Sequence, residues 1–175
     1  MKVLSVQQPY ASLIAAGVIT INELTWKPKS VPKRILIHAT NKRASYRSVI
    51  TNEPIEWFQE TLNNISFGNI PDFSDMPFGA IIGYVTLDRI DQDYESTVWS
   101  CLEGGHYVWH FKDAHLFDEP ITGIKGKPRL WDFDLDEDNL PPAHIVELNE
   151  FIYLTQSLLI KVSEKHSKTK KIRNS

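Results

Sequence analysis

The chain of 175 residues contains one cysteine, Cys101. A single thiol excludes a disulfide framework and a thiolate zinc site, and it suits a reducing compartment, so a cytoplasmic location is expected. No apolar run approaches the roughly 20 residues that a membrane-spanning helix needs, and no membrane partner is expected. Met1-Lys2 runs directly into a strand-like segment rather than into the apolar stretch of a secretory leader. Gly-x-Ser-x-Gly, the P-loop and the dinucleotide glycine fingerprint are all missing. Six histidines are present, and His106, His110 and His115 lie close in sequence. No His-x-Glu or paired ligand motif accompanies them, so neither a metal nor another cofactor is expected.

Hydrophobic residues make up 42% of the chain, enough for a real core. The net charge of −3 hides a strong asymmetry. Residues 1–50 carry eight basic residues (Lys2, Lys27, Lys29, Lys33, Arg34, Lys42, Arg43, Arg47) and one acid, Glu23. Residues 51–100 carry nine acids and one base, Arg89, and the tail from Lys161 to Arg173 is basic again. Such segregation favours a basic face that meets an anion such as nucleic acid; the plainer reading is a solvated surface.

Local patterning predicts mostly short strands. Val3-Leu4-Ser5-Val6 is strand-like, and Pro9 suits the first turn of a helix over residues 10–16, with Gly17 as its stop. Residues 19–26 are β-rich, 27–32 form a proline-marked loop, and 34–39 (RILIHA) are a strand. Ile55, Trp57, Phe58 and Leu62 predict a short helix. Residues 79–90 are a strand, 91–105 an acidic stretch with a weak helical pattern, and 106–111 and 114–117 two further strands. Residues 130–133 (LWDF) form the last one. Leu148, Phe151, Ile152, Thr155, Leu158, Leu159 and Val162 recur at helical spacing and predict an amphipathic helix. The expected organisation is a domain over 1–133, an acidic, proline-containing linker over 134–143, a helix over 144–165 and a disordered basic tail over 166–175. Many strands with one early helix argue for an α+β protein built on a small β-barrel.

Gly123-Ile124-Lys125-Gly126-Lys127-Pro128-Arg129 sets two glycines and three cations beside Trp131. That pattern can lay backbone N–H groups and charge against phosphate, with an indole for stacking. The plainer alternative is an ordinary basic hairpin loop. Strand tryptophans are more often core than site, and His38, at a strand end, is more often structural than catalytic.

LSVQQPYASLIAAGV, TW, PKRILIHA, PFGAIIGYVTL, YVWHF and FDEPITGIKGKPRLWDFD, in that order over residues 3–133, resemble the ASCH domain family. The resemblance implies a PUA-like β-barrel with a helix across a cleft. It also implies an association with RNA, with hydrolysis of N4-acetylcytidine nucleosides or with ribonuclease activity. The family hallmark is Gly-x-Lys-x-x-Glu-x-Arg. Here Gly17 matches, but Ile19, Asn22 and Leu24 occupy the lysine, glutamate (threonine in the amidohydrolase branch) and arginine positions. Ile19 cannot move a proton, Asn22 is a poor nucleophile and Leu24 cannot neutralise an anion. Glu23 falls on the opposite strand face unless a one-residue bulge re-aims it.

The expectation is therefore a non-catalytic module that binds RNA, a nucleotide or a modified nucleoside. Lys27, Lys33, Arg34, Lys127 and Arg129 would attract phosphate, Trp26 or Trp131 would stack, and Gln8, Thr20, Asn22 and His38 would line the cleft or read base edges. The alternative is an amidohydrolase or nuclease using Glu23, His38 or Glu103, with Glu95 a further candidate acid. A third is a regulatory domain that docks a protein, or a second copy, through the C-terminal helix.

Overall fold

The computed structural model describes residues 1–43, 75–93 and 106–147. The helix expected around 55–62, the amphipathic stripe from Leu148 to Val162, the tail, Cys101, Glu95 and Glu103 lie outside the described residues. Seven strands and one helix follow in chain order: β1 (Lys2–Gln8), α1 (Tyr10–Ala15), β2 (Ile21–Leu24), β3 (Arg34–Arg43), β4 (Ala80–Asp93), β5 (His106–Ile121), β6 (Leu130–Asp132) and β7 (Ala143–His144). They form one sheet in the order β2-β5-β4-β3-β1-β6, with β7 added to β5. β1 and β3 are parallel, and every other pair is antiparallel. Parallel neighbours need a crossover, which α1 supplies.

The apolar runs of β1, β3 and β4 are continuous because those strands are buried on both faces. Leu4, Ile35, Ile37, Ile82 and Trp109 belong to a first core, against which α1 lays Ala11, Ile14 and Ala15. The alternating residues Val3, Leu36 and Ile81 join Phe117 and Trp131 in a second core. Ile124, Phe133, Leu135, Leu140 and Ala143 cover that core from outside. The sheet is thus a wall between a helix-covered face and a loop-covered face.

Gly17 ends α1 as the sequence predicts, in the left-handed region at φ 76°. Val18 N–H donates to Leu13 O at 2.9 Å and Gly17 N–H to Ile14 O at 3.0 Å. This pair of bonds is the Schellman arrangement, sealed by packing of Val18 on Leu13. The same cap shortens the strand expected over 19–26. Ile19 N–H also bonds Leu13 O, at 3.1 Å, so pairing starts only at Ile21.

Two expectations are corrected. The segments 106–111 and 114–117 are one strand of 16 residues, in which Asp113 at φ 48° absorbs the irregularity and the pairing with β4 shifts register. The barrel is not closed: among the described residues no pairing joins β2 to β6, and the sheet ends at both. Among the described residues, no helix is long and apolar enough to cross a membrane.

Candidate functional site

In the hallmark segment, Ile19 packs against Leu13 of α1. Ile19 and Leu24 pack on the first core. β2 pairs with β5 without interruption from Ile21↔His110 to Leu24↔Tyr107, so the bulge that would re-aim Glu23 is absent. Asn22 stands opposite Trp109 on the core side, while Glu23 points to the other face with its Oε2 buried. Gln8 is fully buried. Its amide nitrogen donates to Ser12 Oγ and to Pro77 O, both at 2.8 Å, and its oxygen accepts from Ser12 N–H at 3.1 Å. The Thr20 carbonyl accepts from Phe111 N–H at 2.7 Å. Trp26 meets Trp109 edge-on at 4.9 Å, and Lys27 lies over the Tyr107 ring at 5.5 Å.

A different constellation occupies the loop-covered face. β1 and β3 run side by side, with Ser5 in register with His38. His38 is 1% exposed, and its Nε2 lies 3.1 Å from Ile124 O. A carbonyl can only accept, so Nε2 carries the proton and Nδ1 keeps its lone pair. Nδ1 is buried and has no hydrogen-bond partner among the described residues. Gly126 covers that edge of the ring: a Cβ on it would stand 2.6 Å from His38 Cε1, 2.9 Å from Nδ1 and 3.0 Å from Ser5 Oγ. Trp131 meets His38 edge-on at 5.9 Å and donates its Nε1–H to Ser5 Oγ at 3.1 Å. Lys127 Nζ hangs over the indole at 5.4 Å. Ile124 N–H in turn donates to Gly79 O at 2.9 Å. The loop is therefore clasped to the sheet on both sides of Ile124.

Charge on this face is partly neutralised. Asp132 bonds Lys2 at 2.8 Å, which holds its carboxyl below the ordinary aspartate range, with Lys127 a lesser influence. Arg34 reaches Glu137 at 3.6 Å and lies over Tyr84 at 5.1 Å; Tyr84 itself stacks on His115 at 4.6 Å. Lys125, Lys127 and Arg129 are exposed, and among the described residues none forms an ion pair. Burial pushes the His38 imidazole below its ordinary value, and the Ile124 carbonyl opposes this less strongly.

The residues expected to form one site thus divide between two faces. Gln8, Asn22, Trp26 and Lys27 belong to the helix side, whereas Arg34, His38, Lys127 and Trp131 belong to the loop side. Thr20 contributes its backbone to the link with β5. Lys33 projects into solvent while its carbonyl accepts from Leu87 N–H at 2.9 Å, and Arg129 is exposed at φ 58°. Glu23 and His38 sit toward opposite ends of β4: His38 pairs with Ile81, whereas Val108, opposite Glu23, pairs with Asp91. They do not form one catalytic centre. Of the other histidines, His110 Nε2 lies 2.9 Å from Asp91. Ile124 and Gly126 enter the sequence reading only as members of the basic loop 123–129, and Ser5 carries no signal there. A glycine between two lysines is the mark of the close backbone approach to His38.

Fold and site together define an open, mostly antiparallel sheet protein, with a short helix on one face and a basic loop backed by tryptophan on the other. No protein-family profile matches the chain, and no curated protein matches it. Among solved structures, it is similar to an ASCH protein from Zymomonas mobilis, with 14% identity and a TM-score of 0.46 over 78% of this chain and 88% of that one. A serine-to-alanine variant of Zymomonas mobilis ASCH gives 17% identity and a TM-score of 0.43 over 69% and 72% of the two chains. A tyrosine-to-phenylalanine variant gives 15% and 0.45 over 76% and 90%.

Proposed function

We propose that this chain is an ASCH-type, PUA-like module that binds RNA, a nucleotide or a modified nucleoside without catalysing a reaction on it. The observation that carries this reading is the loop 123–129. Its three cations are unneutralised among the described residues, one of them lies over Trp131, and the backbone is clasped in place. Such a loop attracts phosphate through charge, whereas Trp131, expected to stack on a base, is buried in the second core and only backs the loop. The apolar side chains at the hallmark positions speak against the family's hydrolytic chemistry, because Ile19 and Leu24 pack against the first core and carry no group that can move a proton or bind an anion. Neutral Asn22 and engaged Gln8 add no nucleophile.

The test is titration of a labelled single-stranded RNA at several salt concentrations. Affinity falls steeply with salt if the cations carry it; a flat response overturns the reading. Turnover of N4-acetylcytidine, or cleavage of the RNA, that disappears in His38→Ala would overturn it in favour of an enzyme.

A further inference from the structure

We infer that His38 is a positioning residue for the basic loop, and that it makes polyanion binding at this face weaken on acidification. The inference rests on the binding reading above and names its regulation. Ile124 is held twice, by Gly79 O through its N–H and by His38 through its C=O. The neutral ring suits this clasp, since Nε2–H has its acceptor and the bare Nδ1 edge lies flat against Gly126, where any larger residue would collide. A second proton on Nδ1 would point at Gly126 with no acceptor. Ser5 Oγ receives the Trp131 N–H and makes no hydrogen bond with Nδ1.

The groups around the ring give no compensation. β1 presents Ser5, β4 presents Ile81 opposite His38, and β6 presents Trp131. The loop presents Ile124, Gly126 and the cation of Lys127 over Trp131. The charged group among them is a cation, and no carboxylate is among the influences on the ring. A buried imidazolium in these surroundings is relieved by lifting the loop and admitting water. Lifting draws Lys127 off the Trp131 ring and loosens the backbone that carries Lys125 and Arg129. The direction is opposite to the simple expectation that a protein gaining positive charge at low pH grips an anion more tightly.

The experiment uses the full chain from about pH 7.5 down to about pH 4.5, well under the ordinary histidine value because burial lowers that of His38. One arm follows amide hydrogen exchange at Ile124, normalised to Leu87, whose N–H is bonded to Lys33 O within the sheet. The other follows binding of a fluorescein-labelled oligouridylate of about ten nucleotides, at constant ionic strength. On acidification the wild-type protein loses Ile124 protection relative to Leu87. Its affinity falls about tenfold, the scale of one or two lost phosphate contacts. His38→Gln keeps an N–H for Ile124 O but cannot titrate, so it retains both protection and affinity. Gly126→Ala drives a methyl into the ring and gives the acid behaviour already at about pH 7.5, which decides the matter should His38→Gln not fold.

Unchanged Ile124 protection in the wild type, an equal acid loss in His38→Gln, or normal protection in Gly126→Ala at the higher pH overturns the clasp. Protection that drops while affinity holds overturns the claim that the loop carries binding. RNA that binds at no pH in this range overturns the binding reading alone, and the exchange arm still decides the role of His38.

Discussion

Gln8 and Ser12 exchange two hydrogen bonds across the first turn of α1, Gln8 Nε2–H to Ser12 Oγ at 2.8 Å and Ser12 N–H to Gln8 Oε1 at 3.1 Å. Pro9, at the N-cap, makes no side-chain cap bond. The residue before it does that work, and also holds Pro77. Gln8→Ala leaves Ser12 N–H and Pro77 O without these partners in a buried setting, at a cost of about 2–4 kcal/mol. Urea unfolding measures the loss, while RNA affinity per folded molecule is expected to stay within about twofold.

Gly83 is irreplaceable for a different reason. A Cβ there would run into the carbonyl oxygen of His115 on the paired strand β5, a backbone atom that no rotamer change can move aside. Gly83→Ala is expected to destabilise by more than about 2 kcal/mol, against about 1 kcal/mol for Gly123→Ser, where the added Cβ meets nothing within 4 Å and the φ of +73° alone opposes it. Thermal melts of the two variants compare the effects directly.

Acid should weaken the fold in a defined window. His38 and His110 both have imidazoles below the ordinary 6.5, chiefly through burial. For His110, Arg89 adds to the effect and Asp91 opposes it. As pH falls through 6.5, the unfolded chain takes up protons that the folded chain declines. Their contribution is complete above that value, declines below it, and levels off under the folded values. The carboxylates of Asp88 and Asp132, held below 3.8 chiefly by hydrogen bonds from Lys112 and Lys2, lose their contributions only as pH falls below about 3.8. Denaturant midpoints between about pH 7.5 and about pH 5 trace the histidine part. His38→Gln makes that trace shallower.

Charge removal separates the cations by their partners. Lys125→Gln, Lys127→Gln and Arg129→Gln each reduce the slope of log affinity against log salt by about 1 if each neutralises a phosphate. Arg34→Gln has a smaller effect, because Glu137 and Tyr84 already engage that side chain. Oligouridylate titrations at four salt concentrations distinguish the two cases.

Local features were legible in the sequence. Gly17, the proline-marked loop and the strand at 79–90 all follow from backbone sterics and side-chain alternation. The position of His38 was not. Its face depends on β1 and β3 lying parallel in one register and on the irregularity between Ile37 and His38 in the pairing with β4. Nothing in RILIHA specifies either. The division of the expected site has the same origin: Asn22 and His38 share a polar character, but only long-range pairing decides that the sheet separates them. The packing of Ile19 and Leu24 on the first core was half legible, since both announce apolar contacts without saying which.

The terminal strands of the sheet are its stubs. β2 has four residues and β6 three, whereas the central β4 and β5 have 14 and 16. β2 runs on toward Pro28 and Pro32, and β6 begins just after Pro128. A neighbouring molecule seeking to add its own strand finds a few free amides and then a residue with none to offer. A sheet that has not closed on itself thereby gives little foothold at these two edges for polymerising side by side.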